Sequence, residues 1–268
     1  QAARAMGAFQ AAQTFLQARI DDGEADLLMA RDLAITNMSL GNVRETTGNL
    51  SAALTDFRQA RDILVTVVAR EPGNPEWQGD LAVANDEIGD ALLEQGDLQG
   101  ATDAYSESLA IKQRLVRARP DDLSRQRDLA TTGDDKLGVM RDLGRIDEAL
   151  AIATESFAMR KAIAVRDPAN RGRQRDLSVG YDKSGNLLLD TGALDEALAA
   201  YRAGRAIVET LLATDPNDLN LRRDLAVSSD KIGNVLEIRK DLPGALASYE
   251  ESLTIMKALA QSDRDNTT

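Results

Sequence analysis

The chain has 268 residues and neither cysteine nor histidine, which excludes disulfides, thiolate nucleophiles, Cys/His zinc sites and Ser-His-Asp triads within it. Its formal charge of −12 argues against nucleic acid and against an anionic membrane surface, both of which call for a basic face. Aromatic residues make up only 3% and alanine is abundant, which suits close helix packing through small side chains.

The first segment, residues 1–22, carries Ala5 and Phe9, and adding 48 to each gives Ala53 and Phe57. It therefore reads as the second helix of a unit whose first helix is missing. Five units follow at about 28–72, 76–120, 124–168, 172–216 and 220–262. Each opens near Arg-Asp-Leu or a variant: Arg31-Asp32-Leu33, Gly79-Asp80-Leu81, Arg127-Asp128-Leu129, Arg175-Asp176-Leu177 and Arg223-Asp224-Leu225. A turn residue recurs in step at Gly48, Gly96, Gly144, Gly192 and Lys240, and a proline closes the units at Pro72, Pro120, Pro168 and Pro216. A fixed period of this size marks a solenoid, in which each unit buries its apolar face against its neighbours. Residues 1–268 are thus expected to form a single array.

Within a unit, two helical stripes are separated by the turn. In the fifth, Leu225, Ser229, Ile232 and Leu236 share one face, followed by Leu242, Ala245, Tyr249, Ser252, Leu253, Ile255 and Leu259 on a second. Each unit is an antiparallel helix hairpin with helices of about 18 to 21 residues, roughly 30 Å long. The residue before each proline leaves the α region and stops the second helix. The aromatic column Phe57, Tyr105, Ala153, Tyr201, Tyr249 and the column Val67, Leu115, Ile163, Leu211, Leu259 are core. Gly41, Gly89, Gly185 and Gly233 stand inside the first helices, where glycine costs about 1 kcal/mol, so something from the partner helix must pass too close for a side chain. The third unit has Leu137 in that column and Gly138 after it, which implies a local shift or looser packing.

These residues resemble the tetratricopeptide repeat (TPR) family. Leu40-Gly41, Ala53, Phe57 and Pro72 follow its order and spacing, as do Ile88-Gly89, Ala101, Tyr105 and Pro120, and Gly185, Ala197, Tyr201 and Pro216. The likeness runs along nearly the whole chain. It departs in length, with a unit of 48 residues in place of the family's 34, and in its first-helix aromatic, present only as Tyr181. The resemblance implies an all-α, TPR-like right-handed superhelix that binds protein or peptide along a concave face lined by the first helices.

On the face of the first helices opposite the core stripe, three columns recur: Arg127, Arg175 and Arg223; Asp86, Asp134, Asp182 and Asp230; and Asn42, Asp90, Asn186 and Asn234. Asparagine offers a donor and an acceptor together and suits an extended peptide backbone, while the aspartates favour a basic partner. The same columns also suit bridges between neighbouring units, Arg in one to Asp in the next. Nothing in the sequence suggests catalysis, a phosphate loop, a metal or a cofactor. Asp134-Asp135 point to different helix faces, and Gly96-Asp97-Leu98-Gln99-Gly100 lacks the lysine and Ser/Thr of a phosphate loop. The function expected is a peptide- or protein-binding scaffold. The alternatives are a regulatory or sensor module of a larger enzyme or effector, and end-to-end self-assembly through uncapped ends. A start at Gln1 on a second helix, and a stop at 261–268 without a polar capping helix, fit a segment of a longer protein. The excess of arginine over lysine fits a GC-rich bacterial genome and a cytoplasmic protein.

Overall fold

The structure, a computed structural model, describes residues 2–22 and 26–265, with side chains as far as residue 261. Among the described residues it contains eleven α-helices and no strand: α1 (Ala2–Asp21), α2 (Leu27–Thr46), α3 (Leu50–Arg70), α4 (Pro75–Glu94), α5 (Leu98–Ala118), α6 (Leu123–Asp142), α7 (Ile146–Arg166), α8 (Arg171–Asp190), α9 (Leu194–Thr214), α10 (Leu219–Ile238) and α11 (Leu242–Asp265). The chain divides into two compact units, residues 1–146 and 147–268, and the division falls inside the third hairpin, between α6 and α7. In the first unit each helix from α1 to α6 packs on the next, and in the second the same holds from α8 to α11. Each is a stack of antiparallel helices.

Local chemistry sets the helix ends at the repeat spacing. Asp26, Asn74, Asp122, Asn170 and Asp218 cap the five first helices, each accepting a hydrogen bond from the backbone of the first turn. At the hairpin tips Gly48, Gly96, Gly144 and Gly192 adopt φ between 71° and 82°, the left-handed conformation that L side chains avoid. Lys240 takes the same conformation, with φ 66°, without being glycine. The second helices α3, α5 and α9 end on Glu71, Arg119 and Asp215, whose ψ of 72° to 83° carries the chain out of the helix before the proline.

The first-helix glycines are explained by the aromatic column. A Cβ on Gly41, Gly89, Gly185 or Gly233 would lie 2.3 to 2.6 Å from a ring carbon of Phe57, Tyr105, Tyr201 or Tyr249. Glycine in one helix and a ring in its partner are two halves of one contact, and Phe57, Tyr105 and Tyr201 are buried against it. In the third hairpin the types change together: Leu137 occupies the glycine column and Ala153 the aromatic one, and both are buried. Val67, Leu115, Ile163, Leu211 and Leu259 are buried as the column requires. Leu242 and Leu253, expected on the core stripe of the fifth unit, are instead exposed, because an αα-hairpin buries only the side of α11 that faces α10.

Candidate functional site

The arginine column links one first helix to the next. Arg31 Nε on α2 donates to Asp80 Oδ2 on α4 at 2.5 Å. Arg175 on α8 donates through Nε and Nη2 to both oxygens of Asp224 on α10, at 2.6 and 3.1 Å. In each case the acceptor is the aspartate of the next unit's Arg-Asp-Leu. Both pairs are part-buried, and each raises the affinity of its guanidinium for the proton, first through the hydrogen bond to the aspartate. Arg127 and Arg223 are exposed on their helices. In the second repeat, at about 76–120, the column holds Gly79 and the rung is missing.

The aspartate column is held by lysines from other columns. Lys112 Nζ on α5 reaches Asp86 Oδ2 at 2.5 Å and Thr132 Oγ1 at 2.6 Å, and the Thr132 hydroxyl donates to Asp86 Oδ1 at 3.1 Å. In the second unit Lys231 on α10 pairs with Asp182 at 3.1 Å and stands 5.5 Å from the centre of the Tyr201 ring. Burial pushes the Asp182 carboxyl above its ordinary value, with Lys231 pulling the other way. Asp134 is buried, at 4% exposure, whereas Asp230 lies open on α10.

The amide column is committed within its own hairpin. Tyr105 donates its hydroxyl to Asp90 at 2.5 Å and Tyr201 to Asn186 Oδ1 at 2.8 Å, while the one Tyr249 hydroxyl proton is shared between Asn234 Oδ1 at 2.7 Å and Glu237 Oε2 at 2.8 Å. Asp90 and Asn186 therefore already accept from tyrosine, whereas Asn234 competes with Glu237 for its tyrosine proton. Phe57 has no hydroxyl, and the Asn42 amide in that hairpin instead helps to hold down the Glu87 carboxyl of the next repeat.

In the first unit α4 and α6 line a groove of about 690 Å³. Asp86, Asp90 and Arg127 of the expected face open onto it, together with Gly79, Val83 and Thr131. Its acidic residues (Glu76, Asp80, Asp86, Glu87, Asp90, Asp128 and Asp135) outnumber Arg31, Lys112, Arg125 and Arg127, so the groove is net negative but mixed. Glu87 is the most perturbed carboxyl in it, raised to about 7 by burial, then by Asp90 and Glu45, with Asn42 holding it down. The Asp90 carboxyl is raised as well, chiefly by burial, with the Tyr105 hydroxyl opposing. Among the described residues there is no group of three or more acidic side chains placed to hold a metal ion, and no helix long and apolar enough to cross a membrane.

Sequence reasoning alone misses Lys112 and Thr132, which sit in columns of mixed type, and Lys231, whose column carries lysine at Lys183 and Lys231 alone. It also misses the tyrosine hydroxyls, although each Tyr stands 15 residues after its Asn or Asp and could have been paired with it.

No protein-family model matches the chain, and no curated protein matches it either. Solved structures do. BtubC (BKLC) from P. vanneervenii superposes with a TM-score of 0.71 at 15% identity, covering 97% of this chain and 92% of that one. A Podosopora anserina kinesin light chain with nearly identical TPR-like repeats gives 0.56 at 16% identity over 85% and 96%. The Rap conjugation gene regulator of the plasmid pLS20, solved in complex with the Phr* peptide, gives 0.55 at 15% identity over 90% of this chain and 57% of that one. Hairpins repeated at a fixed interval, glycines seated on aromatic rings and these superpositions agree on one architecture: the chain has the TPR-like helical repeat fold, built here on a 48-residue unit.

Proposed function

We propose that the chain is a peptide- or protein-binding scaffold and that the groove along α4 and α6 is where it takes its ligand. The observation that carries this is the groove itself: about 690 Å³ on the face where the sequence places Asp86, Asp90 and Arg127. Val83, 43% exposed, supplies an apolar floor within it. The peptide complex of the structurally similar Rap regulator supports the class of ligand. The negative balance of the lining favours a basic segment. A peptide-array screen of the chain, repeated with Val83→Trp to fill the groove from an exposed helix position, tests the reading. Selective binding lost in a variant of unchanged helicity is the expected result. Binding that Val83→Trp leaves intact would move the site off α4 and α6.

A second reading, self-association through α11, rests on one comparison. Leu246 is 58% exposed, whereas its equivalents Leu54 and Leu198 are at 6% and 4%; Met256 is 45% exposed, whereas Val208 in its column is at 1%. These are positions that a following helix covers in the earlier hairpins. Sedimentation equilibrium of the chain and of Leu246→Glu/Met256→Glu checks it. A mass that rises with concentration and returns to that of a monomer in the variant is the supporting outcome.

A further inference from the structure

The break in the arginine column coincides with the groove. Arg31 reaches Asp80 and Arg175 reaches Asp224, each arginine pairing with the aspartate 49 residues on. By the same step Gly79 on α4 corresponds to Asp128 on α6, and both line the groove. Glycine supplies no side chain, and the Asp128 carboxylate carries no hydrogen bond or ion pair among the described residues.

Packing does not ask for this glycine. A Cβ on Gly79 would meet nothing within 4 Å, whereas every glycine of the Gly41 column is forced by a ring. A glycine five residues into a helix costs about 1 kcal/mol relative to alanine, and here no neighbour requires it. What the glycine provides is room for a guanidinium beside Asp128, the group that fills the equivalent place in two other rungs. Val83 lies on the same wall and suits the aliphatic stem of a long cationic side chain. Arg125, also on the lining, has a buried Nη1 without an acceptor.

We propose that the gap left by Gly79 is a specificity pocket for an arginine side chain of an extended peptide, whose guanidinium completes the missing rung by pairing with Asp128. The proposal rests on the peptide-binding reading above and assigns it one subsite. Arginine is favoured over lysine because the built rung at Arg175 is two-pronged, and a planar guanidinium matches a carboxylate in that way.

The test uses the whole 268-residue chain and two probes, Ac-Ala-Ala-Arg-Ala-Ala-NH2 and the same peptide with norleucine for arginine. Titration is followed by amide shifts. The arginine peptide is expected to perturb α4 and α6 around Gly79 and Asp128 and to bind at least tenfold more tightly than the norleucine peptide. Asp128→Asn, which keeps the shape, and Gly79→Arg, which supplies the missing side chain from within, should each weaken it at least fivefold. Gly79→Arg should also raise the melting temperature; if it does not fold, Asp128→Asn alone decides. If both peptides bind equally, or bind the groove with an affinity these variants leave unchanged, the arginine pocket is wrong and the peptide scaffold stands. If neither peptide binds and the array screen finds no ligand, both readings fall.

Discussion

Gly79 and Gly89 lie on the same helix, and one substitution separates them. Alanine at 89 would place its Cβ 2.5 Å from the Tyr105 ring, which is buried and anchored at its far end by Asp90. The ring cannot retreat, so Gly89→Ala is expected to cost about 1 to 3 kcal/mol, the usual penalty of overpacking. Alanine at 79 meets open space and gains helix propensity, so Gly79→Ala is expected to stabilise by up to about 1 kcal/mol. Thermal melts of the two variants check this, and shifts of the same sign would refute the close-approach account. The turn at Lys240 extends the logic. A left-handed conformation costs an L residue about 1 to 2 kcal/mol, partly offset by the larger entropy that glycine loses on folding. Lys240→Gly should therefore stabilise by about 0.5 to 1 kcal/mol, raising the midpoint of urea unfolding without changing its slope.

At the scale of the element, α4 contributes five carboxyls to the groove lining, and the three in its second half, Asp86, Glu87 and Asp90, have different partners. Asp86 has Lys112 and Thr132, Asp90 has the Tyr105 hydroxyl, and Glu87 has only the Asn42 amide. The folded pKa of Glu87, about 7, lies above the ordinary 4.5, so the native state holds this proton more tightly than the unfolded chain. Its contribution to stability is therefore present below about pH 4.5 and is lost as pH rises toward 7. Glu87→Gln should flatten that fall and leave the variant more stable than the parent at neutral pH. The gain should be of order 1 kcal/mol after allowance for the partial exposure of the site. Melting temperatures between pH 4.5 and 7.5 read this out, and parallel profiles for the two proteins would reject it. The same helix shows what sequence can convey. Its boundaries, its buried glycine and its aspartates follow from column arithmetic, because repetition reveals which residues are equivalent. Repetition does not reveal which residues are neighbours. Lys112 shares a column with Leu64, Arg160, Val208 and Met256, so its hold on Asp86 has no periodic signature. The buried Asn85, whose Oδ1 finds no donor, does share its column with the buried Asn37, but repetition does not tell which groups surround it.

At the scale of the whole molecule, stability is distributed within each compact unit, because the helices from α1 to α6 and from α8 to α11 pack mainly on those next to them in sequence. In such arrays unfolding is governed by the strength of each hairpin and of its nearest interfaces, not by one shared core. The two compact units, 1–146 and 147–268, give this a measurable form. Phe57 fills the first hairpin with no exposed surface, and Phe57→Ala should cost about 3 to 5 kcal/mol there. Val208, nearly as buried, packs with Leu211 and Leu221 in the second unit, and Val208→Ala should weaken that cluster by a smaller amount. Hydrogen exchange is expected to accelerate in α2 and α3 for the first variant, with α9 and α10 unchanged, and in the reverse pattern for the second. Uniform acceleration from α2 to α11 in either variant would mean that the chain unfolds as one cooperative block. The groove on α4 and α6 would then be coupled to every hairpin, whereas local response would let a ligand there stiffen the first unit and leave α9 and α10 as they were.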